Sequence, residues 1–135
     1  MRISNDNEIM ELLGRTRRVA IVGLSSKPER PSYTVAKALQ GYGFEIVPVN
    51  PNETAVLGAN AAESLDRIRP VDMVTVFRRP EYVPQIVDAC IKHRIGALWL
   101  QEGVIHEAAA QRASDAGIDV VMDRCMYKEY SRLLG

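Results

Sequence analysis

With 135 residues, 47% of them hydrophobic and 25% charged, the chain has the length and make-up of one water-soluble domain, residues 1–135, with a core of its own. Lysine plus arginine and aspartate plus glutamate number 17 each, so no global field draws the protein to nucleic acid or to an anionic membrane, and any anion site must be local. The two cysteines, Cys90 and Cys125, form neither a disulfide framework nor a metal-ligand spacing; with no apolar run long enough for a signal peptide or a membrane span, a cytoplasmic location is expected.

Ile9, Met10, Leu12 and Leu13 recur at helical spacing behind Asn5 and Asp6, which predicts a short helix over 5–14 stopped by Gly14. Residues 17–23 are a near-continuous apolar run ending at Gly23, the mark of a strand covered on both faces in a parallel sheet. A polar loop then leads into a helix from about Ser32, with Tyr33, Val35, Ala36 and Leu39 at its period. Residues 44–49 read as the second strand, closed by Asn50 and Pro51. Weak periodicity over 52–70 predicts an irregular excursion with a short helical piece near Ser64 to Ile68. Residues 71–77 form a third strong strand. Pro80 suits the first turn of the next helix, whose apolar stripe is Val83, Ile86, Val87, Cys90 and Ile91. A strand at 97–101, a helix over about 104–116, a strand at 118–122 and a helix over 126–134 complete the chain. This alternation predicts an α/β fold with helices on both faces of a parallel sheet of five strands, with room for one short extra strand, in the order 3-2-1-4-5.

Ligands on such sheets bind beyond the carboxyl ends of the strands, near the point where strand order reverses. The first of these loops holds Gly23, Ser25, Ser26, Lys27, Arg30 and Ser32, and departs from the dinucleotide pattern G-x-G-x-x-G because no second glycine follows. Hydroxyls, a guanidinium fork and the free amides of a helix start can grip a phosphate; a merely solvated loop is the simpler alternative. The second strand ends in Val49, Asn50 and Pro51, where NAD-binding versions of the fold carry an acid for the ribose. Here the first acid is Glu53, and an amide at Asn50 tolerates a ribose phosphate that a carboxylate repels. A plain Asn-Pro turn accounts for the same residues.

Phe77, Arg78, Arg79 and Pro80 close the third strand. Arginines there can meet phosphate, and Phe77 or Pro80 can lie against a base. Two cations at a helix start are unfavourable unless an anion joins them. Gln101, Glu102 and Gly103 end the next strand, where Glu102 also suits a helix N-terminus. Cys125, after the last strand, has only Arg124 and Lys128 nearby in sequence to activate a thiol, and His93 and His106 lie elsewhere, so no catalytic dyad is assigned.

Taken together, the stretches VAIVGLSSKPERPSYTVAKAL, IVPVNPN, VDMVTVFRRPEYVP, ALWLQEGV and VVMDRCMYKEYSRL resemble the small stand-alone CoA-binding proteins. These are similar to the CoA-binding N-terminal domain of the succinyl-CoA synthetase α subunit, and the resemblance runs from about Thr16 to Leu133. It implies a Rossmann-like three-layer fold and a coenzyme A or acyl-CoA ligand. Gly23, Ser25, Ser26, Lys27, Arg30 and Ser32 would hold the phosphates. Val49, Asn50 and Pro51 would flank the nucleotide, Phe77, Arg78 and Pro80 would approach the adenine end, and Gln101, Glu102 and Gly103 would line the pantetheine side. The synthetase's phosphorylated histidine lies in a further domain without counterpart in these residues, so ligase activity is not implied.

CoA carries a diphosphate and a ribose monoester of about −1.5 to −2 charge, a load that suits Lys27, Arg30, Arg78 and Arg79 on an otherwise neutral chain. The expectation is a non-catalytic binding protein for a small nucleotide ligand, with a homodimer through exposed apolar helix faces compatible with the sequence. The alternatives are an NAD(P)-binding redox protein, an acyl-CoA-dependent enzyme using Cys125, and a ligand-sensing module with a protein partner that the sequence does not name.

Overall fold

A strand whose side chains are apolar on both faces has to lie inside a sheet with both faces covered, and strand β1 (Arg18–Val22) does so. In the computed structural model, which describes residues 1–135, β1 pairs in parallel with β2 (Glu45–Val49) on one side and with β5 (Met73–Val76) on the other. Strand β5 continues to β6 (Ala97–Leu100), and β6 to β7 (Asp119–Val121), all parallel. The five-stranded sheet has the order β2-β1-β5-β6-β7.

Side chains alternate across the sheet and build two cores. Ala20, Val22, Val74, Val76, Leu98 and Leu100 meet the buried residues of α3 (Val83–Lys92) and α4 (Glu107–Asp115). Val19, Ile21, Met73, Ala97, Trp99 and Val121 meet those of α1 (Asp6–Arg15), α2 (Pro31–Gly41) and α5 (Met126–Leu133). The result is the expected three-layer α/β fold. Trp99 is fully buried and its indole N–H donates to the Arg124 carbonyl at 2.8 Å, so its one polar atom is satisfied.

The outer edge of β2 shows why the extra strand stays short. Ala62 forms a single parallel bridge to Val49, donating to the Pro48 carbonyl at 2.9 Å and accepting from the Asn50 amide at 2.8 Å. Because the Pro48 carbonyl faces this outer side, so does the amide hydrogen that proline lacks, and the ladder cannot lengthen past it. With the Ala62 bridge counted as the third parallel element, the succession from this edge reads 3-2-1-4-5, and β7 is the sixth.

Within the excursion after β2, a two-stranded antiparallel hairpin, β3 (Ala55–Val56) and β4 (Ala59–Asn60), was not expected. Its turn is Leu57–Gly58, both with positive φ (53° and 80°). Such a turn is read from Asn-Gly or Asp-Gly, and a leucine in the first position hides it. Elsewhere the boundaries shift by a few residues. The first helix runs through Gly14 to Arg15. A 3-10 turn at Pro80–Tyr82 precedes α3. Helix α4 starts only at Glu107, because the His106 ring accepts the Ala109 amide at 3.1 Å as its cap.

From β1 the chain turns one way to β2, and from β5 onward it builds the other way. The crevice at this reversal lies over the carboxyl ends of β1 and β5, which is where a ligand site belongs in an open α/β sheet.

Candidate functional site

Gly23 opens the crevice because no other residue fits. Its φ is +87°, and a Cβ there would strike the carbonyl oxygen of Phe77 and come within 3.0 Å of the Arg78 side chain. The neighbouring strand ends are stitched together at this point, with Gly23 N–H donating to the Val49 carbonyl at 2.9 Å and Phe77 N–H to Val22 at 2.8 Å. Over them lies a cavity of about 720 Å³. Gly23, Ser25, Ser26, Lys27, Arg30, Ser32, Asn50, Phe77, Gln101 and Glu102 all line it.

The loop 24–30 is strapped from within. Buried Ser32 accepts the Ser25 amide at 3.1 Å, and the Ser25 hydroxyl accepts the Lys27 amide at 3.1 Å. The Ser26 amide donates to the Glu53 carboxylate at 2.7 Å. The serines therefore shape the loop as much as they offer hydroxyls. Asn50 is likewise a strut. Its side-chain Nδ2 donates to the Leu24 carbonyl at 3.1 Å while its Oδ1 accepts the Asn52 amide at 3.0 Å, tying the end of β2 to the loop.

Helix α2 points its start at this cavity. Arg30 is its N-cap without a side-chain cap bond, Pro31 takes the first position, and the first turn has no acid. Helix α1, by contrast, is capped by Asn5 and carries Asp6 and Glu8 in its first turn. No acid of its own first turn therefore offsets the positive end of the α2 dipole. Lys27 and Arg30 stand beside it, exposed, with no carboxylate at ion-pair distance, while Glu102 is engaged by Lys128 at 2.8 Å and Arg79 by Glu81 at 3.3 Å. The hydrogen bond from Lys128 to Glu102 holds that ammonium's pKa above its ordinary value.

Three predicted residues fall next door. Val49, Pro51 and Arg78 line a second, smaller cavity of about 180 Å³ on the α3 side, with Val22, Leu65 and Tyr82 among its walls. The Arg78 guanidinium lies 4.1 Å from the centre of the Tyr82 ring, a cation–π contact that presents an otherwise unpaired charge at the carboxyl end of β5. Two predicted residues reach neither cavity. Pro80 starts the 3-10 turn, and Gly103, at φ +81°, donates its amide to Asp123 at 2.8 Å and serves the β6 turn.

Gln101 is more structural than its predicted place on the pantetheine side implies. It is 2% exposed, donates to the Thr75 hydroxyl at 2.8 Å and accepts the Met126 amide at 3.2 Å. It thus bonds the first amide of α5 to the centre of the sheet. Sequence reading passed over Val35, Asn52 and Val104 as lining residues; the two valines carry no signal apart from that of core positions. It left Glu53 outside the site, and here the fold corrects it. The turn begun at Asn50 swings Glu53 back over the first loop. The Ser26 amide and hydroxyl, helped by Lys27, hold its carboxyl below the usual glutamate range.

Cys125 lies on the cavity wall as the N-cap residue of α5. Neither histidine serves it, since His93 pairs with Asp66 and His106 caps α4. Cys90 is buried inside α3, and burial pushes its thiol up to about 12.

Residues 17–131 match the family model described as CoA binding domain. An uncharacterized Bacillus subtilis protein, YneT, is 42% identical over 120 residues, covering 88% of this chain and 89% of that one. The structure of a hypothetical protein from Pyrococcus horikoshii superposes with a TM-score of 0.93 at 36% identity, over 98% of this chain and 94% of the other. The α subunit of the ADP-forming acetate–CoA ligase I of Pyrococcus furiosus is 32% identical over 88 residues, which are 60% of this chain and 19% of that subunit. With the family model matched over residues 17–131 and a 42% identical relative spanned nearly along its whole length, the chain is a member of the CoA-binding domain family.

Proposed function

We propose that the protein binds coenzyme A or an acyl-CoA and does so without catalysing a reaction on it. The observation that carries this reading is the pair Lys27 and Arg30, with no carboxylate at ion-pair distance, beside the start of α2, whose first turn has no acid, and above a cavity of about 720 Å³. The residues present fit the group in each of its parts. A diphosphate matches Lys27, Arg30 and the α2 amides. The ribose phosphate and the base match Arg78 and the apolar walls of the smaller cavity, Val22, Val49, Leu65 and Tyr82. Pantetheine, a neutral chain with two amides, matches the remaining length of the large cavity past Phe77, Glu102 and Val104 to Cys125.

Isothermal titration with CoA, dephospho-CoA and NAD tests the reading. CoA should bind most tightly, dephospho-CoA more weakly because Arg78 loses its phosphate, and NAD least. Equal affinity for NAD, or no binding of CoA below the millimolar range, would overturn it. Mass spectrometry of gently purified protein adds a direct search for a retained CoA or acyl-CoA.

One observation favours a second reading, an acyl transfer through Cys125, because this thiol is on the cavity wall. Incubation with acetyl-CoA should leave the intact mass unchanged on the binding reading. An acetyl adduct that disappears in Cys125→Ser would establish the transfer instead.

A further inference from the structure

Within the loop 24–30, the Ser26 amide is the one whose partner comes from outside the loop and helix α2. Ser25 and Lys27 donate to Ser32 and Ser25 hydroxyls, and Arg30 donates to the Lys27 carbonyl at 3.0 Å. Ser26 instead donates at 2.7 Å to a carboxylate 27 residues away in sequence. An anionic oxygen on a main-chain amide, beside an unpaired lysine and a helix start, is the contact that such loops make to phosphate.

We propose that Glu53 is the loop's resident counter-anion, occupying the seat of a ligand phosphoryl oxygen and leaving when a diphosphate arrives. The proposal rests on the phosphate-binding reading of this loop given above and adds a residue that opposes the ligand. Two further observations support it. Glu53 is the cavity's only carboxylate without a cationic side-chain partner at ion-pair distance, since Glu102 is held by Lys128. Its backbone is also placed for this contact: the Glu53 amide donates to the Asn50 carbonyl at 3.2 Å, and Asn50 is bonded to the Leu24 carbonyl at the root of the loop. The strut that fixes the end of β2 thus delivers the carboxylate to Ser26.

The consequence is a competition between two anions for one amide. A carboxylate carries one negative charge and a diphosphate more, so the ligand wins at Lys27 and Arg30 while Glu53 sets a threshold against weaker anions. The Glu53 side chain has to swing away from Ser26 as the ligand enters, and after that its charge repels the bound phosphates.

The opposite role has the opposite signature. If Glu53 accepted ribose hydroxyls, as acids near the second strand end do in NAD-binding folds, removing it would weaken binding. The test is calorimetric titration of the wild type, Glu53→Gln and Glu53→Ala with inorganic pyrophosphate, and separately with CoA. Pyrophosphate should bind both variants about two- to fivefold more tightly than wild type, the scale of a half-exposed charge contact. Unchanged or weaker pyrophosphate binding overturns the proposal, as does its failure to bind any of the three proteins at millimolar concentration. Tighter pyrophosphate binding with no CoA binding leaves Glu53 as the counter-anion and removes CoA as the occupant. A second measurement uses wild-type protein alone. On saturation with pyrophosphate, the Glu53 side-chain carboxyl carbon should move in NMR spectra to its solvated position while the Ser26 amide proton shifts. A Glu53 signal that stays put overturns the displacement.

Discussion

Gly23 lies so close beneath Phe77 that any side chain on it would occupy the space of the Phe77 carbonyl oxygen. The contact joins the two strands at which the sheet reverses direction, so the floor of the site and the middle of the fold are the same few atoms. Gly23→Ala should therefore unfold more easily by about 2–6 kcal/mol, the sum of a strained positive φ and an overpacked contact. Urea unfolding measures it. A loss below 1 kcal/mol would mean that β1 and β5 separate at little cost.

Arg30 offers the reverse separation. It is exposed and makes no ion pair, so Arg30→Ala should leave the urea midpoint unchanged. CoA affinity should fall by about 1.5–3 kcal/mol, the usual worth of a hydrogen bond to a charged group, or roughly ten- to hundredfold. Arg78→Ala should penalise CoA more than dephospho-CoA, because its partner on this reading is the ribose phosphate.

Gln101 should behave as a strut. Gln101→Leu leaves the buried Met126 amide without an acceptor and the Thr75 hydroxyl without a donor, which should cost about 1–3 kcal/mol of stability. CoA affinity of the folded variant should change less than in Arg30→Ala. Titration and urea unfolding of the two variants, side by side, separate holding the ligand from holding the fold.

The thiols should differ sharply in reactivity. Iodoacetamide at neutral pH should label Cys125 in the native protein and reach Cys90 only in denaturant, because the Cys90 thiol is buried and pushed up to about 12. Saturating CoA should slow labelling of Cys125 if the ligand runs along the large cavity. Peptide mapping with and without CoA reads both effects.

The pair Arg132 and Asp6 gives a pH test of the packing of α1 against α5. Two guanidinium contacts, at 2.8 and 3.0 Å, hold the Asp6 carboxyl below its usual range. A carboxyl with a lowered folded-state pKa contributes stability that is present above its unfolded value, about pH 4, and is lost as the pH falls through the folded one. Asp6→Asn should flatten the loss of thermal stability below about pH 4, measured by a melting series from neutral to acid pH.

The sheet and its helices were legible in the sequence because parallel strands are apolar throughout. Runs such as 19–22 and 97–100 have no polar residue to confuse the period. The place of the cavity was legible because the loop with Lys27 and Arg30 follows β1, where strand order reverses. What stayed hidden depended on contacts distant in sequence. Glu53 reads as a loop acid until the turn at Asn50 carries it to Ser26. Gln101 reads as a cavity residue, which it is, but its bonds to Thr75 and Met126 appear only in the fold. Leu57 gives no sign that its backbone adopts a left-handed turn.

The proline in β2 has a bearing on how copies of this chain meet. One rim of the sheet stops at the Ala62 bridge, since Pro48 has no hydrogen to offer outward. The other rim is covered where Ile3 donates to the Val120 carbonyl at 2.8 Å and Val120 donates to Met1 at 2.9 Å. Neither rim presents a free ladder onto which a second sheet could zip. Self-association at either rim of the five-stranded sheet, where it occurs, has to use side-chain surfaces rather than a continued ladder.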